Sequence, residues 1–429
     1  MRFSRQLERS ALLRARYDRA VPRVLLLLPT TTYRAPDFLD AAEKLGVDVT
    51  VASEEPSTME ALNPAGLLAL DFADPHSSAR RVVQFARTYP IAAVVGVDED
   101  TAVVAAAISR ALGLPSNPPE AASASRDKAL LRRLLDAAGV PNPKSRIFAL
   151  SGDPVEAARG VSYPCVLKPT FLAASRGVIR ADDPASFVAA WHRIARILRE
   201  PDVTARGGRS AEEILIEDFV PGAEVAVEGM LTKGSLEVLA VFDKPDPLDG
   251  PFFEETIYVT PSRRPEPSLV EVEKVVSSGC RALGLSEGPV HAELRMTPIG
   301  PSVIELAARS IGGLCSRTLK FGAGMSLEEL ILRHALGVQD RSPRDPRAAG
   351  VMMIPIPRAG RLEGVAGLEA AKAVPDVEDV VISAHPGQTL VPLPEGSRYL
   401  GFIFSRAETP ARAEAALREA YGRLVFDVR

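Results

Sequence analysis

The run GPVHAELRMTPIGPSVIELAAR, residues 288–309, carries the side chains best placed to do chemistry. Strand alternation puts Val290, Ala292, Leu294 and Met296 on one face and His291, Glu293, Arg295 and Thr297 on the other. Pro298-Ile299-Gly300 reads as a three-residue hairpin loop with glycine at the left-handed position. With the turn centred on Ile299, Glu293 and Glu305 lie equally far from it and face each other across the strands. Like charges directly opposite are destabilising. At ~5 Å and an effective dielectric of ~20 the repulsion is about 3 kcal/mol before screening. A cation between the two relieves it. Oxygen-only ligands suit a hard ion, and Mg²⁺, which shares its shell with phosphates, is the usual one, with Mn²⁺ as a substitute. Two solvated glutamates, or one paired with Arg295, are the competing readings of the same pattern.

Two lysines sit upstream. Lys128 lies in the first turn of a helix, SRDKALLRRLL, and Lys168 ends a short strand, YPCVLKP, between Pro164 and Pro169. A lysine after a core strand delivers a point charge to a fixed spot, as phosphate recognition needs; each also reads as an ordinary surface lysine. No GxxxxGK[ST] occurs, so a nucleotide site here is not a P-loop. In TFLAASRGV, Ser175 and Gly177 can form a turn that offers a hydroxyl and backbone N–H groups to phosphates. In EEILIEDFVPGAEVAVEGML, a strand over 214–216 ends in Glu217 and is followed by Asp218-Phe219-Val220, a Pro221-Gly222 turn and a strand from Glu224. Such a strand end can present backbone C=O and N–H groups to a flat heterocycle, and the acid beyond the turn can accept from ribose hydroxyls. A plain β-hairpin is the bland alternative. Asp98 and Glu99 follow a strand at its C-terminal end, where open α/β sheets bind ligands, or they simply start the next helix.

These side chains need a scaffold, and 429 residues supply one of two to four domains. Strand and helix signals alternate over the first third: strands at 24–28, 47–51, 67–70 and 91–97, helices at 38–45, 80–88 and 101–112. Continuous apolar strands in that order indicate a parallel sheet with both faces covered, a Rossmann-like domain over 1–120, without the GxGxxG fingerprint. After LPSNPP a helix is expected over 126–138, then short strands at 165–168, 214–217, 224–231, 237–243, 290–296 and 303–306, with helices near 184–198 and 267–283. This α+β pattern defines a second domain, 121–345. A small α+β domain follows at 346–429, with strands at 349–356 and 400–405 and a helix at 410–421. PDVTARGGR, 201–209, reads as a mobile loop.

Composition narrows the class. A net charge of −4 argues against a general nucleic-acid binder, though not against a local basic pocket. Cys165, Cys280 and Cys315 are too few and scattered for a disulfide framework or a zinc site. The longest apolar runs fall far short of a membrane span, and residues 1–20 are too charged for a secretory h-region. A reducing cytoplasm is the default location; a homodimer is left open.

Taken in order, the helix lysine, strand lysine, small-residue loop, E-x-x-x-P-G-x-E hinge, two acids and Arg309 resemble the ATP-grasp superfamily of ligases over roughly residues 90–340. The resemblance implies an ATP-grasp fold with a lid at about 140–225. It gives Lys128 and Lys168 to the ATP phosphates, 170–178 to the phosphate loop, Glu217 and Asp218–Val220 to the adenine hinge, and Glu224 to the ribose. Glu293 and Glu305 become Mg²⁺ ligands, and Arg309 steadies the transferred phosphoryl group. The common Glu-x-Asn-x-Arg is replaced by Glu305-Leu306-Ala307-Ala308-Arg309, similar to the L-amino-acid (dipeptide) ligase branch, as are His291-Ala292-Glu293-Leu294 and Ser310-Ile311-Gly312-Gly313. The implied reaction joins a carboxylate to an amine through an acyl phosphate, on amino acids in the first instance. His291, Gly312, Gly313, Glu99 and Glu255 are candidate substrate residues, the last within KPDPLDGPFFEETIYVTP (244–261), which could also present Phe252, Phe253 or Glu254. Another carboxylate or amine, or a nucleotide-binding module without catalysis, are the alternatives; Ala307 and the glycine-poor Ala173-Ala174 keep the latter open, and a biotin carboxylase is disfavoured.

Overall fold

The computed structural model describes residues 21–340 and 342–429; the reading of residues 1–20 lies outside the described residues. The first domain is a parallel sheet in the order Leu67–Ala69, Asp48–Ser53, Arg23–Leu27, Ala93–Gly96. Apolar strands bury both faces: Val24 and Leu26 pack on one side, Leu25 and Leu27 on the other. Strand order reverses between Arg23–Leu27 and Ala93–Gly96, and at such a switch point the chain ends form a crevice. Two polar residues open from it. Arg34 follows the first strand, and Glu99 starts the helix Glu99–Leu112, which is closed by Gly113 in the left-handed conformation.

A second sheet of four antiparallel strands, ordered Ser145–Ala149, Glu213–Asp218, Cys165–Lys168, Ile179–Ala181, lies within residues 140–225, where the sequence resemblance places the lid. Phe187, Trp191, Ile194 and Leu198 of the helix Pro184–Leu198 pack against Leu167, Ile214 and Ile216 beneath it. Each such side chain contributes about 1.5–3 kcal/mol on full burial. The third sheet has eight strands, all antiparallel, running from Gly300–Ala307 through Gly288–Thr297, Ala223–Thr232, Ser235–Lys244 and Ile257–Thr260 to Ala348–Ile354, Gly401–Ala407 and Val377–Ile382. Its last three strands lie beyond residue 345, so the central and C-terminal segments share one sheet. No helix among the described residues is long and apolar enough to cross a membrane, and the three cysteines are free and buried.

Three expectations are corrected. The helix expected over 126–138 runs Lys128–Ala137, and a further helix that the sequence did not show, Pro119–Arg126, precedes it. Asp127 between them is extended, and its carboxylate accepts from the amides of Ala129 (2.9 Å) and Leu130 (3.1 Å), which starts a new helix at Lys128. The expected loop at 201–209 is the helix Pro201–Gly207 running into a 3₁₀ turn, Gly208–Glu212. Pro201 presets its first turn and Val203 is buried in the lid core, which outweighs the polar, glycine-bearing composition. The hairpin turn has two residues, not three: Thr297 pairs with Gly300, leaving Pro298 and Ile299 at the tip, with Ile299 99% exposed.

The Pro221-Gly222 turn is tied to this hairpin. Gly222 has φ +125°, and a Cβ there would stand 2.3 Å from the backbone oxygen of Met296. Gly222→Ala is expected to destabilise the fold by about 1–3 kcal/mol, seen as a lowered thermal midpoint; an unchanged midpoint contradicts this packing.

Candidate active site

The site is laid out by strand register. Across Ser235–Lys244, Ala223–Thr232 and Gly288–Thr297, one row is Lys244, Glu224, Arg295. The next holds Ala226, Glu293 and, on Gly300–Ala307, Glu305; the third holds Glu228, His291 and Ala307. Because alternate residues share a face, these rows form one ionic grid. The opposite face buries Val225, Val227, Val290, Leu294 and Val303 against Leu131 and Leu135 of the helix Lys128–Ala137 and Val272 and Val276 of the helix Glu266–Leu283. The Glu293–Glu305 pairing stands although the turn differs. A bulge after Glu293 adds the residue that the shorter turn lacks, and so restores the register.

Within the grid, carboxylates crowd one lysine. Lys244 Nζ lies 2.6 Å from Glu224, 2.5 Å from Glu255 and 3.0 Å from Glu293. Burial alone would push its ammonium down, but the three carboxylates reverse this and hold it well above the usual lysine range. Glu224 also receives Arg295 Nε at 2.8 Å. Burial raises Glu255 to about 7, with Glu293 adding to the effect. Glu224, Glu255 and Glu293 are close enough to one another for a metal cluster, but Lys244 already fills the centre between them.

Glu293 further accepts from the Tyr258 hydroxyl at 3.2 Å and approaches His291 Nε2 at 3.4 Å. Burial opposes its charge, but Lys244 and His291 carry its carboxyl well below the ordinary value. Glu305 follows suit: burial opposes its charge, yet Lys128 and Arg309 pull its carboxyl down against Glu293. Both carboxylates are therefore ionised and opposed. His291 is buried, which lowers an imidazole, but Glu228 and Glu293 raise it to about 9.

The lysines come from the lid side. Lys168 Nζ bonds Glu217 at 2.7 Å, and burial lowers it to about 8 in spite of that partner. Glu217 is shared with Arg132, whose Nε lies 2.7 Å away and whose other nitrogens donate to the carbonyls of Val303 (3.2 Å) and Ile304 (2.5 Å). Arg132, only 1% exposed, thus ties the lid strand to the acidic hairpin. Lys128 Nζ donates to the Leu172 carbonyl at 2.7 Å, at the head of the 170–178 loop.

These groups converge on one cleft. Lys128, Lys168, Ser175, Glu217, Asp218, Phe219, Val220, Glu224, Glu255, Glu293 and Glu305, all singled out from sequence, line it, together with Val166, Phe253 and Arg295. The other candidates lie behind the paired acids, not on the cleft wall. Arg309 Nε reaches Glu99 at 2.7 Å, and its NH2 lies 3.6 Å from Glu305, so Glu99 meets an arginine of the hairpin. Ile311 N–H donates to Glu228 (3.0 Å), fixing the 310–313 loop; Gly313 has φ +59° and a Cβ would press on the Phe402 ring at 3.0 Å. Asp98 caps the helix that Glu99 begins.

Sequence reasoning passed over Arg132, Lys244 and Arg34. Lys244 was legible in principle: it closes a strand two elements from Glu293, and a buried strand end with a lysine calls for acids nearby. Arg132 and Arg34 gave no local signal. Arg34, buried, donates to the Val97 carbonyl (2.9 Å) and Ser310 Oγ (2.8 Å) and pairs with Glu328 (3.4 Å), joining the first domain to the loop after the hairpin.

The comparisons with known proteins follow this geometry. The family model for the ATP-grasp domain matches residues 161–318, that for the ATP-grasp N-terminal domain 39–116, and that for the L-amino acid ligase C-terminal domain 2 matches 352–429. The chain is 29% identical to carnosine synthase 1 of Mus musculus over 59% of this chain and 32% of that protein. It is 28% identical to alanine–anticapsin ligase of Bacillus subtilis over 52% of this chain and 49% of that one. The aligned part thus spans about a third to a half of these curated relatives. The crystal structure of L-amino acid ligase from Bacillus licheniformis superposes with a TM-score of 0.79 at 27% identity, covering 95% of this chain and 99% of that one.

Removing one partner of a buried ion pair strands the other, at a cost of about 3–5 kcal/mol. Arg132→Ala is expected to lose that much stability in denaturant unfolding; a loss below about 1 kcal/mol contradicts the role assigned to it.

Proposed function

We propose that this chain, which carries ATP-grasp domains followed by a match to the L-amino acid ligase C-terminal domain 2, joins the carboxylate of one amino acid to the amine of another at the expense of ATP. One observation carries the reading: two opposed, ionised glutamates stand in the same cleft as two lysines. That is an arrangement for a polyphosphate with a hard cation.

In this reading the adenine sits at the lid hinge. The amides of Asp218 and Phe219 are committed to the carbonyls of Lys144 (2.9 Å) and Pro164 (3.1 Å), which leaves the Val220 amide for the base. Phe219 and Val166 provide apolar walls. Glu224, oriented by Lys244 and Arg295, accepts from the ribose. Lys128, Lys168 and the 170–178 loop with Ser175 take the phosphates. The carboxylate oxygens of Glu293 and Glu305 fit Mg²⁺, with Mn²⁺ as an alternative: both are ionised, oxygen-only and beside the lysines, and among the described residues Glu305 has no ion-pair partner closer than 3.6 Å. Magnesium bound there would neutralise charge on the phosphates.

The substrate carboxylate attacks the γ-phosphorus as the bond to ADP breaks; the amine then displaces phosphate from the acyl phosphate. Anion meets anion in the first step, at about 4 kcal/mol per charge pair at ~4 Å and ε of ~20. Lys168 and Arg309 oppose that repulsion where charge develops, Arg309 being aimed by Glu99 and Glu305. Glu255, which lines the cleft, then faces the amino acids, with His291 and the 310–313 loop behind Glu293 as its support. Free, buried cysteines suit a reducing cytoplasm.

With Mg²⁺ and ATP, phosphate release is expected only with particular pairs of amino acids. Release with non-amino-acid carboxylates alone redirects the substrate class, and ATP binding without turnover on any carboxylate overturns the reading. Glu305→Gln is expected to lower turnover by about 10²–10³-fold with an unchanged unfolding midpoint; unimpaired turnover contradicts its role.

A further inference from the structure

The phosphate loop is unusual in its chemistry. Ala174 has φ +54° and Ser175 φ +55°, two successive left-handed residues without a glycine between them. Such conformations cost free energy at non-glycine residues and persist only when the surroundings over-determine them. Part of the surroundings is local: Arg176 N–H bonds the Ala173 carbonyl (3.2 Å), Val178 N–H the Ser175 carbonyl (3.1 Å), and Lys128 anchors Leu172. The rest comes from a distant stretch of the chain. Gly177 N–H donates to the Pro394 carbonyl at 2.8 Å, and Arg176 Nε donates to the Glu395 carbonyl at 2.8 Å. The Glu395 carboxylate is in turn gripped by Arg193 of the lid helix, with Nε at 2.5 Å and NH2 at 2.9 Å. Arg176 closes the circuit through Glu200 at 2.5 Å.

We infer that the turn around Pro394 and Glu395, in the C-terminal segment, is a latch that holds the phosphate loop in its binding shape, and that Glu395 is a positioning residue for the nucleotide. The inference rests on the proposed nucleotide site and adds to it. A fork of two hydrogen bonds between Arg193 and Glu395 fixes the turn on the lid. The Pro394 carbonyl then fixes the backbone at Gly177, the Glu395 carbonyl holds the Arg176 side chain, and the left-handed pair at 174–175 is carried along. Without the latch the loop relaxes to the right-handed and extended conformations that alanine and serine prefer, and the cleft wall made by Ala173, Ala174 and Ser175 changes shape. Glycine adopts positive φ as readily as negative, so a glycine at 174 relieves one of the two left-handed positions and lessens the need for the latch.

The test is the dissociation constant of Mg²⁺–ADP by calorimetry on the full chain. Glu395→Ala is expected to weaken binding about tenfold, or about 1.4 kcal/mol, and Ala174→Gly added to it is expected to restore part of the loss. Unaltered affinity in Glu395→Ala overturns the latch. So does a loss that Ala174→Gly fails to repair, which marks Glu395 as merely structural. If the wild-type chain binds no Mg²⁺–ADP, the nucleotide reading falls and the latch with it; if the wild type binds and Glu395→Ala binds equally, the latch alone falls.

Discussion

Two carboxylates face each other across adjacent strands, and most of the charged groups around them answer that repulsion. Glu293 is met by Lys244 and His291, and Glu305 by Lys128 and Arg309. The compensation is lopsided. Glu293 has close hydrogen-bond and ion-pair partners at 3.0–3.4 Å, whereas Glu305 has its nearest cation at 3.6 Å. The pair is ionised without being neutralised at the face that meets the cleft. A sheet tolerates that arrangement only if its other face is well packed, and here a continuous apolar layer supports it.

Positioning follows from how three sheets meet. The central sheet supplies the acids in register, the lid sheet supplies Lys168 and the hinge, and the first domain supplies Glu99 from its switch point. Single buried arginines join them. Arg132 links lid to hairpin and Arg34 links the first domain to the loop after it. Guanidinium is suited to the task, since its planar fork satisfies a carboxylate and several carbonyls at once. Each link crosses a long stretch of sequence.

That same distance set the limits of what could be read from the chain. Alternation within 288–309 was enough to pair Glu293 with Glu305, because strand period is a local property. It did not reveal that the turn is one residue shorter and that a bulge compensates, since the two irregularities cancel in the pattern. Strand and helix positions were legible wherever apolar periodicity was strong, as in the helix Pro184–Leu198. They failed where a single residue decides: Asp127 caps the expected helix at Lys128 and separates it from an unexpected one before it, and Val203 turns an expected loop into a helix by entering the core beneath the second sheet. Lys244, Arg132 and the Glu395 latch depend on partners far away in sequence, and nothing in their own neighbourhoods announces them.

The central claim is that the opposed glutamates grip a magnesium ion against the phosphates of a bound nucleotide. A crystal structure of the chain with Mg²⁺ and a non-hydrolysable ATP analogue tests it most directly. The account predicts an ion ligated by carboxylate oxygens of both Glu293 and Glu305, with the triphosphate running between Lys128 and Lys168. Those two side chains turned away from any ion, or a triphosphate lodged outside this cleft, would contradict it.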